Sequence, residues 1–311
     1  MMVMNSEQNN IDVSVIVASY YPSWEKMQFT LDSILMQTGV NLQIIISDDG
    51  SDNNLFDEIK AYMQEHDFDN YKLVGDGVNH GTVINIYNRI KEADCKYSKF
   101  ISPGDALYGS DALEKWLEAL QKSGKKWSFC DAIYFNGVND NKVNPVVANA
   151  NPQIVDCYQR GDEETCRWNY LVLNDLALGA CTIGETELLK SCLSEIAGKV
   201  KYAEDNIYRI LMYRNTVPLY YAKTAVLYEY GTGVSTSAND KWTKILLEDA
   251  NEADKVMFSD DDRDAFQNKV YGAYEKRKAE SKISQLNLGT KGRIRIMLKR
   301  NLFPRKTPSE L

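Results

Sequence analysis

The chain has 311 residues, 44% of them hydrophobic and 26% charged, enough for one large or two modest packed domains and too apolar for disorder as its main state. Thirty-six Lys and Arg against 44 Asp and Glu leave a net charge of −8, which speaks against general nucleic-acid binding. Two histidines, His66 and His80, with six scattered cysteines exclude a zinc site of closely spaced Cys or Cys/His pairs, and no apolar run approaches the ~20 residues that span a bilayer.

The polar start Met1 to Asn10 and the short apolar run after it carry no secretion signal, which predicts a cytoplasmic protein with reduced thiols. From Val13 the sequence alternates apolar, β-rich runs with helical patterns: strands at Val13 to Ala18, Leu42 to Ser47, Tyr71 to Val74 and Tyr97 to Ser102, helices at Trp24 to Gln37, Leu55 to Glu65 and Thr82 to Ala93. Short strands without polar alternation suit a parallel sheet covered by helices on both faces. A strand follows at Trp127 to Phe135, and then Asn, Gly and Pro accumulate over Asn136 to Asn151, which reads as a loop or domain seam.

Beyond a mixed segment to Gly198, Asn206 to Tyr213 is helical and Leu219 to Tyr230 is a Tyr-rich strand whose Tyr220 and Tyr221 read as core. It ends in Gly231-Thr232-Gly233, the start of a loop over Gly231 to Ser237 that could close over a ligand, with Tyr228 and Tyr230 before it. Lys241 to Ser281 is helical and highly charged. Lys291 to Lys306 holds seven Lys or Arg and no acid, interleaved with Ile294, Leu298 and Phe303, a basic amphipathic stretch that suits an anionic membrane surface or a packed terminal helix.

Chemistry concentrates at strand ends, where parallel sheets bind ligands. Asp48-Asp49-Gly50-Ser51-Asp52 follows the second strand; a carboxylate there can accept the imide N–H of uracil or ribose hydroxyls, while Asp52 reads as the cap of the next helix. Ser102-Pro103-Gly104-Asp105 follows the fourth strand, and Asp105 could hold a divalent cation, although a Pro-Gly turn explains the segment as well. Glu204-Asp205 opens the helix at Asn206, where an acid can act as general base or simply cap the helix.

Taken in order, Ala18-Ser19-Tyr20, Asp48-Asp49-Gly50-Ser51, Asn79-His80-Gly81-Thr82, Ser102 to Asp105 and Glu204-Asp205 resemble the family 2 inverting glycosyltransferases over roughly residues 11 to 237. The resemblance implies an α/β fold of GT-A (Rossmann-like) type, a mixed but mostly parallel sheet flanked by helices. It divides the chain into a glycosyltransferase domain at 1–237, with a nucleotide-binding half at 11–135 and an acceptor and catalytic half at 136–237, and a helical C-terminal extension at 238–311. Ala18, Ser19, Tyr20, Asp48, Asp49, Gly81, Thr82, Ser102 and Gly104 would line the nucleotide-sugar site, Asp105 would hold Mn²⁺ or Mg²⁺, and Asp205 beside Glu204 would be the catalytic base. The family's Asp-x-Asp metal motif is incomplete, because Ser102 or Pro103 stands where its first acid belongs.

The implied reaction moves a sugar from a UDP-sugar to a hydroxyl of a glycan or lipid-linked acceptor with inversion, in bacterial surface polysaccharide synthesis, on the cytoplasmic side and peripheral to the membrane if the basic stretch binds it. A non-catalytic nucleotide-sugar-binding or scaffold protein with a degenerate metal motif is the alternative. A nucleotidyltransferase would need a Gly-rich, basic phosphate loop that Ser19 to Trp24 does not supply.

Overall fold

The computed structural model describes residues 11–139, 142–146, 151–231 and 240–284. The first half consists of β1 (Ile11–Ser19), α1 (Trp24–Leu35), β2 (Val40–Asp48), α2 (Phe56–Glu65), β3 (Tyr71–Val74), α3 (Thr82–Ile90) and β4 (Tyr97–Ile101). The four strands are parallel in the order β3-β2-β1-β4, with the helices as crossovers. Side chains of β1 and β2 alternate between two cores, as a two-residue repeat requires. Val13, Val15, Val17, Ile44 and Ile46 pack with α1 and α2 on one face, and Ile16 and Ile45 pack with α3 on the other. Both faces are therefore dry, which is why these runs carry no polar alternation.

The chain continues through β5 (Ala106–Leu107), α4 (Ala112–Ser123), β6 (Trp127–Asn139), β7 (Lys142–Pro145), α5 (Asp156–Arg160), α6 (Glu163–Val172), a 3-10 turn at Gly179–Cys181, β8 (Thr182–Glu185), α7 (Thr186–Ile196), α8 (Asn206–Tyr213), β9 (Leu219–Glu229), α9 (Asp240–Met257) and α10 (Ala265–Ser284). The sheet runs β3-β2-β1-β4-β8-β6-β9-β5, with β7 paired to β6; β8 is antiparallel to both its neighbours. The fold is thus a mixed, mostly parallel sheet flanked by helices, as the sequence predicts. Helices α9 and α10 share the α3 core through Ala253, Val256, Met257 and Val270.

Several local expectations need correction. Asn136 to Asn151 is not simply a loop: β6 passes a register shift beside Gly137, whose φ is +76°, runs on to Asn139, and pairs with β7 in a hairpin. Helix α3 stops three residues short of Ala93. The charged stretch from Lys241 forms two helices, because Asp260 accepts the Asp262 N–H at 2.9 Å and turns the chain between them. Asp52 does not cap α2. Leu55 there has a φ of +58°, the Asn53 and Asn54 side chains take the Leu55 and Phe56 N–H groups, and Asp52 accepts the Tyr21 hydroxyl at 2.8 Å. Tyr220 and Tyr221 are half-buried against the cores, Tyr221 stacked on Trp116 and Tyr220 bonded to Asp131. No helix among the described residues is long and apolar enough to cross a membrane. The basic stretch at 291–306 and residues 232–237 of the expected closing loop lie outside the described residues.

Candidate active site

A cavity of about 1070 Å³ opens at the carboxyl ends of β1 and β4. Its wall is built from Ala18 and Ser19 at the end of β1, Tyr20 after it, Asp49 after β2, Thr82 and Asn85 of α3, and Ser102 and Asp105 after β4. Glu204 and Asp205 before α8, Glu229 at the end of β9, and residues of α9 and α10 complete it. Of the residues singled out in the sequence, Asp48, Gly81 and Gly104 do not line this cavity. They are buried and serve the walls behind it.

The two neighbouring acids after β2 divide their tasks. Asp48 closes its own turn, Oδ2 accepting the Gly50 and Ser51 N–H groups at 3.0 and 2.7 Å and Oδ1 the Ser51 hydroxyl at 2.6 Å. Asp49 reaches the cavity, and its oxygens accept the His80 and Gly81 N–H groups at 2.8 and 2.9 Å. Burial pushes the Asp49 carboxyl up, against the pull of those two N–H groups. Gly81 fills a gap no side chain could: its φ is +85°, and an added Cβ would sit 2.6 Å from the Lys201 carbonyl oxygen. The Val83 N–H bonds that same carbonyl at 3.1 Å, which ties the start of α3 to the segment leading into Glu204 and Asp205.

That segment is held from the C-terminal side. Asp249 of α9 accepts the N–H groups of Lys201, Tyr202 and Ala203 at 2.9, 2.7 and 3.0 Å. Asp205 sits at the N-cap position of α8 yet makes no capping bond, so the structural role open to it in the sequence is not the one it takes. Both acids of the pair are half-buried. Burial raises their proton affinity; for Glu204 the neighbouring Asp205 adds to the rise, while Arg209 opposes it at Asp205. Arg209 is itself held by Asp254 of α9 at 2.5 Å. The far end of α8 is fixed by buried Arg167, which donates to the Met212 and Tyr213 carbonyls at 2.8 Å each.

Lys26, Asn85, Arg209, Glu229, Asp249 and the α10 pair Arg277 and Lys278 have no motif in the sequence. Each arrives by tertiary packing, and only Glu229, just before the glycines at 231 and 233, stands next to a readable signal.

Residues 14–168 match the family model described as glycosyl transferase family 2. The chain carries a family 2 glycosyltransferase domain. A poly-beta-1,6-N-acetyl-D-glucosamine synthase of Staphylococcus epidermidis is 30% identical to it over 126 residues, which are 40% of this chain and 29% of that protein. The chain therefore matches under a third of this relative's length. Among solved structures, S. aureus TarS in complex with UDP-GlcNAc superposes with a TM-score of 0.53 at 16% identity, over 79% of this chain and 70% of that one. The mannosyltransferase PcManGT from Pyrobaculum calidifontis, in complex with GDP-Man and Mn²⁺, gives 0.58 at 13%, over 84% and 68%. These likenesses show the GT-A fold of the glycosyltransferase domain.

The divalent cation implied by the sequence resemblance can be tested against the donor set. Asp105 is 7% exposed and its Oδ1 accepts the Glu229 N–H at 2.9 Å. Burial pushes its carboxyl up to about 7. The Glu229 carboxylate beside it is paired with Lys26 at 2.6 Å, and no group of three or more His, Cys, Asp or Glu is assembled among the described residues. Hard cations take six or more oxygens, of which one or two are commonly ionised carboxylates open to the ion. Asp105 brings one carboxylate to the cavity wall, so a divalent cation would be held there by Asp105 together with diphosphate oxygens and water.

Proposed function

We propose that the protein transfers a sugar from a nucleotide-sugar donor, a UDP-sugar, to a hydroxyl of a glycan or lipid-linked acceptor with inversion at the anomeric carbon. The observation that carries this reading is Asp205: a half-buried carboxylate in the wall of a cavity that Asp49 also lines, with no capping duty to its helix. Asp49 suits the imide N–H of a uracil, because its oxygens retain lone pairs beyond the two backbone bonds. Ala18 to Tyr20 would flank the nucleoside. Asp205 would take the proton from the acceptor hydroxyl, whose oxygen forms the new bond to the anomeric carbon as the bond to the nucleoside diphosphate breaks on the opposite face. Helices α9 and α10 border the cavity with Leu247, Asn251, Tyr274 and Arg277, a mixed surface that suits a glycan acceptor. Polysaccharide synthesis is the setting that the Staphylococcus epidermidis relative supports.

Thermal shifts with UDP, GDP, dTDP and CMP test the donor first, since a ligand of the folded state raises its melting temperature. UDP is expected to give the largest shift. Asp205→Asn should then lower kcat by about 10²- to 10⁴-fold while UDP still shifts the variant. Because the Asp205 proton affinity is raised, wild-type transfer should fall off on the acid side at a higher pH than an unperturbed aspartate would set. A fully active Asp205→Asn protein would refute the assignment. Absence of any nucleotide shift would favour the scaffold alternative.

A further inference from the structure

One buried side chain in the cavity wall has only half of its bonding capacity satisfied. Asn85 of α3 is 6% exposed and lines the cavity together with Asp49. Its Oδ1 accepts a hydrogen bond from the hydroxyl of Ser47, a fully buried residue of β2. Among the described residues, its Nδ2 meets no acceptor. A primary amide carries two N–H donors, and leaving such a group buried without a partner costs about 1–3 kcal/mol. An amide held in that state at a cavity wall is a donor kept for a ligand.

The surrounding bonds fix where this donor stands. Asp49 prolongs the pairing of β2 with β1, its N–H bonding the Ser19 carbonyl at 3.0 Å. Ser47 and Asp49 are two residues apart, so their side chains leave the same face of the sheet, the face on which Ile45 packs against α3. The Asn85 N–H bonds the Gly81 carbonyl at 3.0 Å, and the Gly81 N–H meets Asp49 Oδ2 at 2.9 Å. Ser47, Asn85, Gly81 and Asp49 thus close a ring between the end of β2 and the first turn of α3. The ring offers an amide donor and a carboxylate acceptor to one cavity from neighbouring positions. That pair matches one edge of a uracil, where an imide N–H stands next to a carbonyl oxygen. Cytosine reverses both groups, with a ring acceptor next to an exocyclic amine donor.

We propose that Asn85, oriented by Ser47, donates to the carbonyl oxygen next to the imide N–H that Asp49 accepts, and so selects a uracil over a cytosine nucleotide. This rests on the nucleotide-sugar reading, and the test separates the two. UDP and CDP are titrated by calorimetry into the full chain with Mn²⁺, for the wild type, Asn85→Ala and Ser47→Ala. The diphosphate and the cation are common to both ligands, so the ratio of the two affinities reports on the base alone. The wild type should favour UDP by at least about tenfold. Asn85→Ala should lose roughly tenfold of its UDP affinity and little of its CDP affinity, as loss of one hydrogen bond to the base predicts. Ser47→Ala leaves the amide in place without its anchor and should lose part of the preference. Should Asn85→Ala fail to fold, Asn85→Leu keeps the volume and gives the same readout.

A ratio unchanged in the Asn85 variant, a loss of UDP and CDP in equal measure, or a wild type that binds the two alike overturns this inference and leaves the nucleotide-sugar reading standing. A ratio unchanged in Ser47→Ala overturns the part given to Ser47. A wild type that binds no nucleoside diphosphate overturns both the inference and the reading beneath it.

Discussion

Burial of the Asp105 carboxyl raises its proton affinity from 3.8 to about 7, chiefly by desolvation, with the Glu229 N–H, Lys99 and Lys26 opposing the rise and the Glu229 carboxylate adding to it. A difference of that size corresponds to about 4 kcal/mol against the ionised form in the folded chain. Between about pH 4 and 7 the folded chain holds this proton while the unfolded chain has released it. The unfolded state then binds fewer protons, so this group's contribution to stability is lost as pH rises through that window. Asp105→Asn keeps an oxygen for the Glu229 N–H and removes the charge. The variant should melt above the wild type at pH 8, by several degrees, with the gap closing toward pH 4. An identical difference in melting temperature at both pH values would show that the carboxyl ionises there without penalty. The sequence marks Asp105 as an acid at a strand end, but its burial comes from α1 and β9, which no local pattern announces.

At the scale of elements, apolar periodicity located most of the sheet. Val13 to Ala18 became β1 and Leu42 to Ser47 became β2 with one or two residues added at each end, because strands buried on both faces show as unbroken apolar runs. The β6–β7 hairpin stayed hidden since its residues, Asn136 to Pro145, are rich in Asn and carry no alternation. The ends of elements depend on single residues, and Gly81 at the start of α3 is the sharpest case. Its backbone, φ +85° and ψ 159°, lies in a region that is essentially glycine's alone and costs other residues about 1–3 kcal/mol. Gly81→Ala adds a clash with the Lys201 carbonyl. The variant should lose at least about 2 kcal/mol of stability and bind UDP more weakly, because the Gly81 N–H that fixes Asp49 moves with the backbone. Denaturant melts and a UDP titration check both effects; an unchanged denaturation midpoint would mean that α3 shifts to make room.

At the scale of the molecule, the order of the motifs pointed to the family, and chain order is what a sequence preserves. It could not show that the stretch after residue 238 reaches the site, since the contact between α9 and the Glu204-Asp205 segment spans some forty-eight positions and follows no motif. Asp249 makes that contact. It is 5% exposed and satisfies three consecutive backbone N–H groups just ahead of the acid pair, a duty ordinarily met by secondary structure. Asp249→Ala leaves those donors without their carboxylate and should destabilise the fold by about 2–4 kcal/mol. Its effect on transfer should appear in kcat more than in UDP affinity, because the segment it holds carries Asp205 while Asp49 is held by α3. Asp249→Asn retains one acceptor oxygen and should recover part of both losses. If instead Asp249→Ala weakens UDP binding and kcat equally, the C-terminal helices support the whole cavity and not the acid pair in particular.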